Sequence, residues 1–307
     1  MEKYSDLKVF EAIRPQLLGL AYRLLGTMSE AEDALQDTYI KWQVSPDKSK
    51  LKNPEAWITA VCTNTCIDIL KSAQRKRVDY FGPWLPEPLH THSEKTTEDY
   101  LALSSSLTTA FLLVLERLSP KERAAFLLHE IFGRSYADVA VTLGIQEVAC
   151  RKLVSRARDN VGESRAKYTP SLDKQREYLV AFKRAVTTGD ESALSAVLTE
   201  DIQLRADGGG KVVAASKPLV GKKSVIKFLL QVLHKAWADD HLYVEEFNGL
   251  LGLRVVSPDG LRAIVSFGAG ENGRLEHIYI VRNPDKLDRI DTTVHHDRTT
   301  GKLNTTC

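Results

Sequence analysis

Gly82-Pro83-Trp84-Leu85-Pro86-Glu87-Pro88 places three prolines within six residues. Each proline fixes φ and removes a backbone donor, so this stretch belongs to neither a helix nor a central strand. It divides the chain. Before it, apolar residues recur at helical spacing: Phe10, Ile13, Leu17, Leu20, Ala21 and Leu24. Ser29-Glu30-Ala31-Glu32 reads as a second helix start, a cap followed by acids, leading into Ala34, Leu35, Thr38, Tyr39 and Trp42. Asn53-Pro54 opens a third helix that carries Trp57, Ile58, Val61, Thr65 and Ile69 to a basic end at Lys71, Arg75, Lys76 and Arg77. Residues 78–100 read as a linker, and helices are expected again from about 101 to 167.

After Ser171 the pattern changes. Helices are expected over 174–188 and 191–198, then a strand at 202–206, a turn at Asp207-Gly208-Gly209-Gly210 and a return strand at 211–215. An amphipathic helix over 224–236 precedes strands at 243–250, 252–256, 262–267 and 275–282. Helices followed by a meander of strands indicate an α+β domain. The chain therefore reads as multidomain: two all-α units, then an α+β unit, with a tail from about 291. Its 307 residues fit two or three domains.

Hydrophobic content of 43% and charged content of 27% indicate globular domains. Lys+Arg 42 against Asp+Glu 40 gives a net charge of +2, so any nucleic-acid surface must be local. Four cysteines are too few for a disulfide framework. No apolar run approaches the ~20 residues needed to cross a bilayer, and the first residues lack a signal-peptide pattern. A cytoplasmic location without membrane association is the expectation.

The most informative stretch is Leu118–Arg158. Ser119-Pro120 is a cap followed by a first helical position. The helix 136–143 ends at Gly144, Ile145 turns the corner, and a second helix begins near Glu147. On that second helix Cys150, Val154 and Ala157 fall on one face. Arg151, Lys152, Ser155, Arg156 and Arg158 fall largely on others. From Glu147 to Arg158 there are four basic residues and one acid, a local charge of +3. Such a helix fits the major groove and reaches base edges and phosphates. The plain alternative is a solvated basic face on a helical hairpin. The 53–77 helix interleaves Trp57, Thr63, Asn64, Asp68 and Ser72 with its basic end, which suits separated bases and phosphates; a core helix with a snorkelling end is its plain alternative. Glu30, Glu32, Asp33 and Asp37 on one short helix read by themselves as a solvated face.

Ala31-Glu32-Asp33-Ala34-Leu35-Gln36-Asp37-Thr38-Tyr39, with Trp42, resembles conserved region 2 of extracytoplasmic-function (ECF) sigma factors. Residues 54–77 resemble the continuation of that region, and residues 118–161 resemble region 4. Trp84-Leu85-Pro86-Glu87-Pro88-Leu89, Asp207-Gly208-Gly209-Gly210-Lys211 and Asn283-Pro284-Asp285-Lys286-Leu287 are similar to a subgroup with a C-terminal SnoaL-like (NTF2-like) extension. The resemblance implies region 2 over 5–77, a linker over 78–100, region 4 over 101–167 and a SnoaL-like cone over 172–290. It implies that core RNA polymerase, through its β′ clamp helices and β flap, and promoter DNA are the partners. Asp33, Gln36, Asp37 and Trp42 would face polymerase. Asn64, Asp68, Lys71, Arg75, Lys76 and Arg77 would lie near the −10 element. Glu147, Arg151, Lys152, Ser155, Arg156 and Arg158 would lie at the −35 element. The three subgroup motifs would be interdomain and regulatory.

On this reading the chain is no enzyme and no cofactor or metal is implied. In enzymatic relatives of the cone, Asp and His inside it do acid–base work; the counterparts to weigh are Asp201, Asp207 and His277. Two other functions compete: a helix-turn-helix regulator fused to a SnoaL-like small-molecule enzyme or ligand-sensing domain, and an ordinary helix-turn-helix repressor with a ligand pocket. Gly268-Ala269-Gly270-Glu271-Asn272-Gly273 fits GxGxxG, yet a strand follows it, so a hairpin loop is expected rather than a dinucleotide site. Cys62 and Cys66, four apart on a helix without companion ligands, do not make a zinc site.

Overall fold

The computed structural model describes residues 2–46, 48–77, 80–91, 107–162 and 168–290; the side chains of residues 2–5, 49 and 73–77 lie outside the description. Three helices come first: α1 (Glu2–Leu25), α2 (Met28–Val44) and α3 (Pro54–Arg77). Gly26, at φ +81°, breaks α1 from α2. The cap of α2 is Thr27, not Ser29: its Oγ1 accepts from the Glu30 N–H at 3.4 Å and donates to Glu30 Oε2 at 2.8 Å. Asn53 Oδ1 accepts from Ala56 N–H at 3.0 Å, so α3 starts where Asn-Pro placed it.

The second helical group is α4 (Thr109–Leu115), α5 (Pro120–Phe126, extended by a wide turn over Leu127–Ile131), α6 (Tyr136–Leu143) and α7 (Glu147–Val161). Ser119 and Glu122 form a reciprocal capping box on α5. Gly144, at φ +63°, closes α6 and makes the sharp corner before α7. Cys150, Val154, Ala157 and Val161 are the buried residues of α7, the face its spacing selects.

The two helical groups pack against each other. They share one hydrophobic core, in which Leu24, Trp42, Ile58 and Cys66 belong with Phe111, Phe126, Val139 and Val154. Arg123, almost fully buried, staples the groups together. Its guanidinium donates to the Leu24 carbonyl at 2.6 Å and the Leu115 carbonyl at 2.8 Å, and pairs with Glu116 at 2.7 Å.

The C-terminal unit opens with α8 (Leu172–Thr188) and α9 (Glu191–Val197). A six-stranded sheet follows: β1 (Leu198–Asp207), β2 (Leu219–Val220), β3 (His241–Phe247), β4 (Leu250–Ser257), β5 (Gly260–Ala269) and β6 (Leu275–Val281). Its order is β2-β1-β6-β5-β4-β3, with only the β1–β6 pair parallel. Helix α10 (Lys222–Phe228, continued by helical turns to Ala236) crosses between β2 and β3, and the short α11 (Pro284–Leu287) follows β6.

One face of the sheet packs on α8 and α10 through Ile202, Leu204, Val265, Ile278 and Ile280. The other face, with Ile264, Tyr279 and Val281, packs on Leu85 of the linker and on Ala110 and Leu113 of α4. The expected strand at 211–215 does not form. The N–H groups of Lys211 and Val212 turn back onto the Gly208 carbonyl, at 3.0 and 3.2 Å, so they are not free for a ladder. The expected strand at 243–250 is interrupted at Asn248-Gly249, where both residues take positive φ and make a hairpin turn. Gly268 and Ala269 end β5, and residues 270–274 form the hairpin loop to β6, so the GxGxxG stretch lies between two strands.

Candidate functional surfaces and the linker clasp

Asp33, Gln36 and Asp37 are exposed on α2. Next to them, at helical spacing, stand Ile40 (52% exposed) and Val44 (73%). Sequence reasoning missed these two, because an apolar residue at helical spacing reads as core until its packing partners are known. Trp42 departs from expectation. It is 2% exposed, its indole donates to the Asp6 carbonyl at 3.1 Å and its ring packs on Trp57, so it holds the helical core and does not belong to the outer surface.

Asn64, Asp68 and Lys71 share the exposed side of α3. Asp68 and Lys71 pair at 2.9 Å across one turn, both well solvated. The Asn64 amide donates to the Ala60 carbonyl at 2.9 Å and, across the two helical groups, to the Thr142 carbonyl of α6 at 3.0 Å. Arg75, Lys76 and Arg77 continue the helix, and their side chains lie outside the described residues. Cys62 and Cys66 are buried on the opposite side. The hydrogen bond between them and burial push the Cys66 thiol up, so Cys66 is a core group and not a thiolate ligand.

On α7 the cationic residues have distinct settings. Glu147 Oε1 accepts two bonds from the Arg151 guanidinium, at 2.6 and 3.1 Å. That guanidinium lies 4.4 Å from the centre of the Tyr136 ring, which stacks on His129 at 3.9 Å. Arg158 donates twice to Glu130, which raises its pKa, and Arg156 lies 3.5 Å from Glu122. Lys152 and Ser155 are exposed on the outer side of the helix.

The structure brings the three subgroup motifs into one cluster. Asp207, at the end of β1, is fully buried, and its carboxylate accepts four bonds. Oδ1 takes the Tyr80 hydroxyl at 2.6 Å and the Gly209 N–H at 3.0 Å; Oδ2 takes the Leu85 N–H at 2.9 Å and the Lys286 ammonium at 2.7 Å. Lys286 also donates to the Leu85 carbonyl at 2.5 Å and sits over the Trp84 ring at 4.3 Å. Burial and the neighbouring Asp207 charge push the Tyr80 phenol far above its usual pKa, so it remains a donor. Asn283 caps α11 through the Asp285 N–H and donates to the Tyr80 hydroxyl at 3.1 Å; Lys211 pairs with Asp285 at 2.6 Å. Gly209 is required here, since a Cβ would fall 2.4 Å from the Asn283 amide. Leu287 completes the apolar floor beneath Leu85.

The same linker grips the helical core on its other side. Glu87 is 3% exposed; its Oε2 accepts from the Met28 N–H at 2.8 Å, at the start of α2, and its own N–H donates to the Gly26 carbonyl at 2.9 Å. Burial pushes the Glu87 carboxyl up, against the pull of that N–H group and of Arg289 and Lys286. The Tyr22 hydroxyl of α1 donates to the Glu87 carbonyl at 2.6 Å and accepts from Asn248 at 2.8 Å. Asn248 exchanges two bonds with Leu89, at 2.8 and 3.1 Å. Pro86 and Pro88 are buried between these contacts. Tyr22, Tyr80 and Asn248 were not singled out from the sequence; the Asn-Gly dipeptide was the available signal for the last. Beyond the clasp, Arg289 pairs with Glu32 on α2 at 2.6 Å.

The candidate acid–base residues of the cone are not inside it. In the β1–β6 register Gln203 pairs with His277 and Asp207 with Val281, on the face opposite Ile202, Leu204 and Ile278. His277 stacks on Tyr279 on that outer face, Asp207 serves the clasp, and Asp201 is exposed. The three do not converge, so the geometry gives them no shared reaction centre. Among the described residues no helix is long and apolar enough to cross a membrane.

Comparison with known proteins bears on the family and the fold. Residues 9–76 match the family model for sigma-70 region 2, and residues 108–161 match the model for sigma-70 region 4. The chain is 32% identical to the ECF RNA polymerase sigma factor SigJ of Mycobacterium tuberculosis over 311 residues, spanning 97% of this chain and 98% of that protein. It is 30% identical to the ECF RNA polymerase sigma factor SigE of Mycolicibacterium smegmatis over 151 residues, 49% of this chain and 57% of that one. The crystal structure of Mycobacterium tuberculosis SigJ superposes with a TM-score of 0.72 at 30% identity, covering 92% of this chain and 98% of that one. With both conserved regions in order and a relative matched end to end, the chain belongs to the ECF RNA polymerase sigma factors.

Proposed function

We propose that the exposed face of α2, Asp33, Gln36 and Asp37 with Ile40 and Val44, docks on core RNA polymerase. The exposed side of α3, Asn64, Asp68 and Lys71 with the basic run Arg75–Arg77, takes the −10 element, and α7 takes the −35 element. Arg151, Lys152, Ser155 and Arg156 are the residues of α7 that serve it; Glu147 acts by holding Arg151, and Arg158 is turned toward Glu130. The chain performs no chemistry itself. It selects the start site and polymerase makes RNA.

The described conformation is, in this proposal, the closed one. Its support is the Asn64–Thr142 bond: an amide that donates to the α6 backbone is not free to bond an unstacked base. Opening separates α3 from α6, which strains the linker between them. The clasp on Asp207 and Lys286 fixes that linker to the C-terminal unit, so the C-terminal unit biases opening through the linker rather than through a reaction in its cone. The apolar interior of the sheet, with no Asp or His among the candidates facing it, favours this over the fused-enzyme alternative.

Run-off transcription with purified core polymerase tests the proposal. The full chain is expected to direct initiation from a defined start, and weakening the clasp with Lys286→Met is expected to change the yield. Failure of the full chain to bind core polymerase would overturn the docking role. Equal yields from both proteins would overturn the role of the clasp.

A further inference from the structure

Val148 stands on the first turn of α7 and is 64% exposed. A helix repeats every 3.6 residues, so Val148, Lys152 and Ser155 line the side opposite the buried Cys150, Val154 and Ala157. Nothing in folding asks for valine here. Its β-branch is unfavourable on a helix surface relative to alanine, and it meets no core. Its neighbours show what the face is arranged for. Arg151 is held on one flank by Glu147 and the Tyr136 ring, which fixes its direction before any DNA arrives. Arg156 and Arg158 are drawn toward Glu122 and Glu130 on the other helices. The leading, central position of the outer face is thus left to an apolar side chain, flanked by cations. In a helix-turn-helix the N-terminal residues of the second helix approach the base edges most closely. The apolar group that the major groove offers is the 5-methyl of thymine.

We propose that Val148 is a specificity-determining residue that packs on a thymine methyl in the upstream promoter element. The inference rests on α7 reading that element. The cations beside it supply affinity that is indifferent to sequence, and Val148 makes one position depend on a methyl group. Burying one methyl on another corresponds to about a fourfold preference.

The upstream element is first obtained by selection from a randomised duplex with the complete holoenzyme. Each thymine in the selected element is then replaced singly by uracil, which removes the methyl and leaves every hydrogen-bonding group. The unmodified protein and its Val148→Ala variant are compared for binding and initiation. The variant keeps the fold, because alanine is the better helix former at an exposed site. One uracil position is expected to weaken the unmodified protein about fourfold and to leave Val148→Ala unaffected. Insensitivity of the unmodified protein to uracil at every position, or the same sensitivity in Val148→Ala, overturns the inference while α7 still reads the element. If selection returns no upstream element, the reading of α7 itself fails, and the inference with it.

Discussion

The ammonium of Lys286 lies 2.7 Å from Oδ2 of Asp207, with the two side chains 7% and 0% exposed. These residues are 79 positions apart, yet the pair closes over a third segment, bonding the N–H and carbonyl of Leu85 and the Tyr80 hydroxyl. A charged pair withdrawn from water persists only when its other valences are filled. Here they are: three further donors reach Asp207, and Lys286 has the Leu85 carbonyl and the Trp84 ring.

Removing one member leaves the other buried and charged. Asp207→Ala is expected to lower stability by about 3–5 kcal/mol. The double variant Asp207→Ala/Lys286→Met is expected to lose less than the sum of the two single variants. Urea denaturation of all four proteins gives the coupling directly, and additive losses would show that the two side chains do not act as a pair.

Gly26 carries a second constraint. Its φ is +81°, and a Cβ would sit 2.5 Å from the Trp84 ring. Gly26→Ala is expected to cost at least ~1 kcal/mol from the backbone alone. The clash is expected to be relieved in part by Trp84→Ala in the same chain. Thermal unfolding midpoints of the single and double variants measure both effects.

Glu87 makes the contact with α2 sensitive to pH. Its folded-state pKa lies above the ordinary 4.5 because of burial, so the folded protein holds this proton more tightly than the unfolded chain. The Glu87 contribution is therefore most favourable below the unfolded value and declines as pH rises through the raised value. Glu87→Gln, which cannot ionise, is expected to gain stability relative to the parent over that window. Chemical denaturation of both proteins at about pH 5 and about pH 8 reads the difference. A difference independent of pH would show that Glu87 does not titrate there.

Arg289 and Glu32 tie the C-terminal unit to α2, the helix proposed to meet polymerase. The pair is half exposed, 45% and 44%, so its contribution to stability is small, ~0–1 kcal/mol. Arg289→Glu is expected to raise affinity for core polymerase by loosening the closed form, and the swap Glu32→Arg/Arg289→Glu to restore part of the parent behaviour. Fluorescence anisotropy with labelled core polymerase tests this; unchanged affinity in Arg289→Glu would remove the pair from any role in opening.

Much of the fold was legible in the residues themselves. Ser119-Pro120 and Gly144 set the ends of α5 and α6, and the spacing Cys150, Val154, Ala157 chose the buried face of α7. Alternation in 275–281 separated Ile278 and Ile280 from His277 and Tyr279, although not which side would be the interior. Trp42 and Ile40 show the limit. Both fit an amphipathic α2, and only the position of α1 and α3 buries the first and exposes the second.

The sequence by itself determined most of the helix ends, since caps, prolines and glycines act over a few neighbouring residues; it did not determine the strands at 211–215 and 243–250, which backbone turns ended. It also marked the three motifs of the clasp. Tertiary structure alone decided that they meet, that Asn64 bonds to Thr142, and that Asp207 and His277 face away from the sheet's apolar interior. Those outcomes depend on which groups separated by tens to hundreds of residues come to share a buried space. Burial and pairing of charge are properties of that space, not of the local chain.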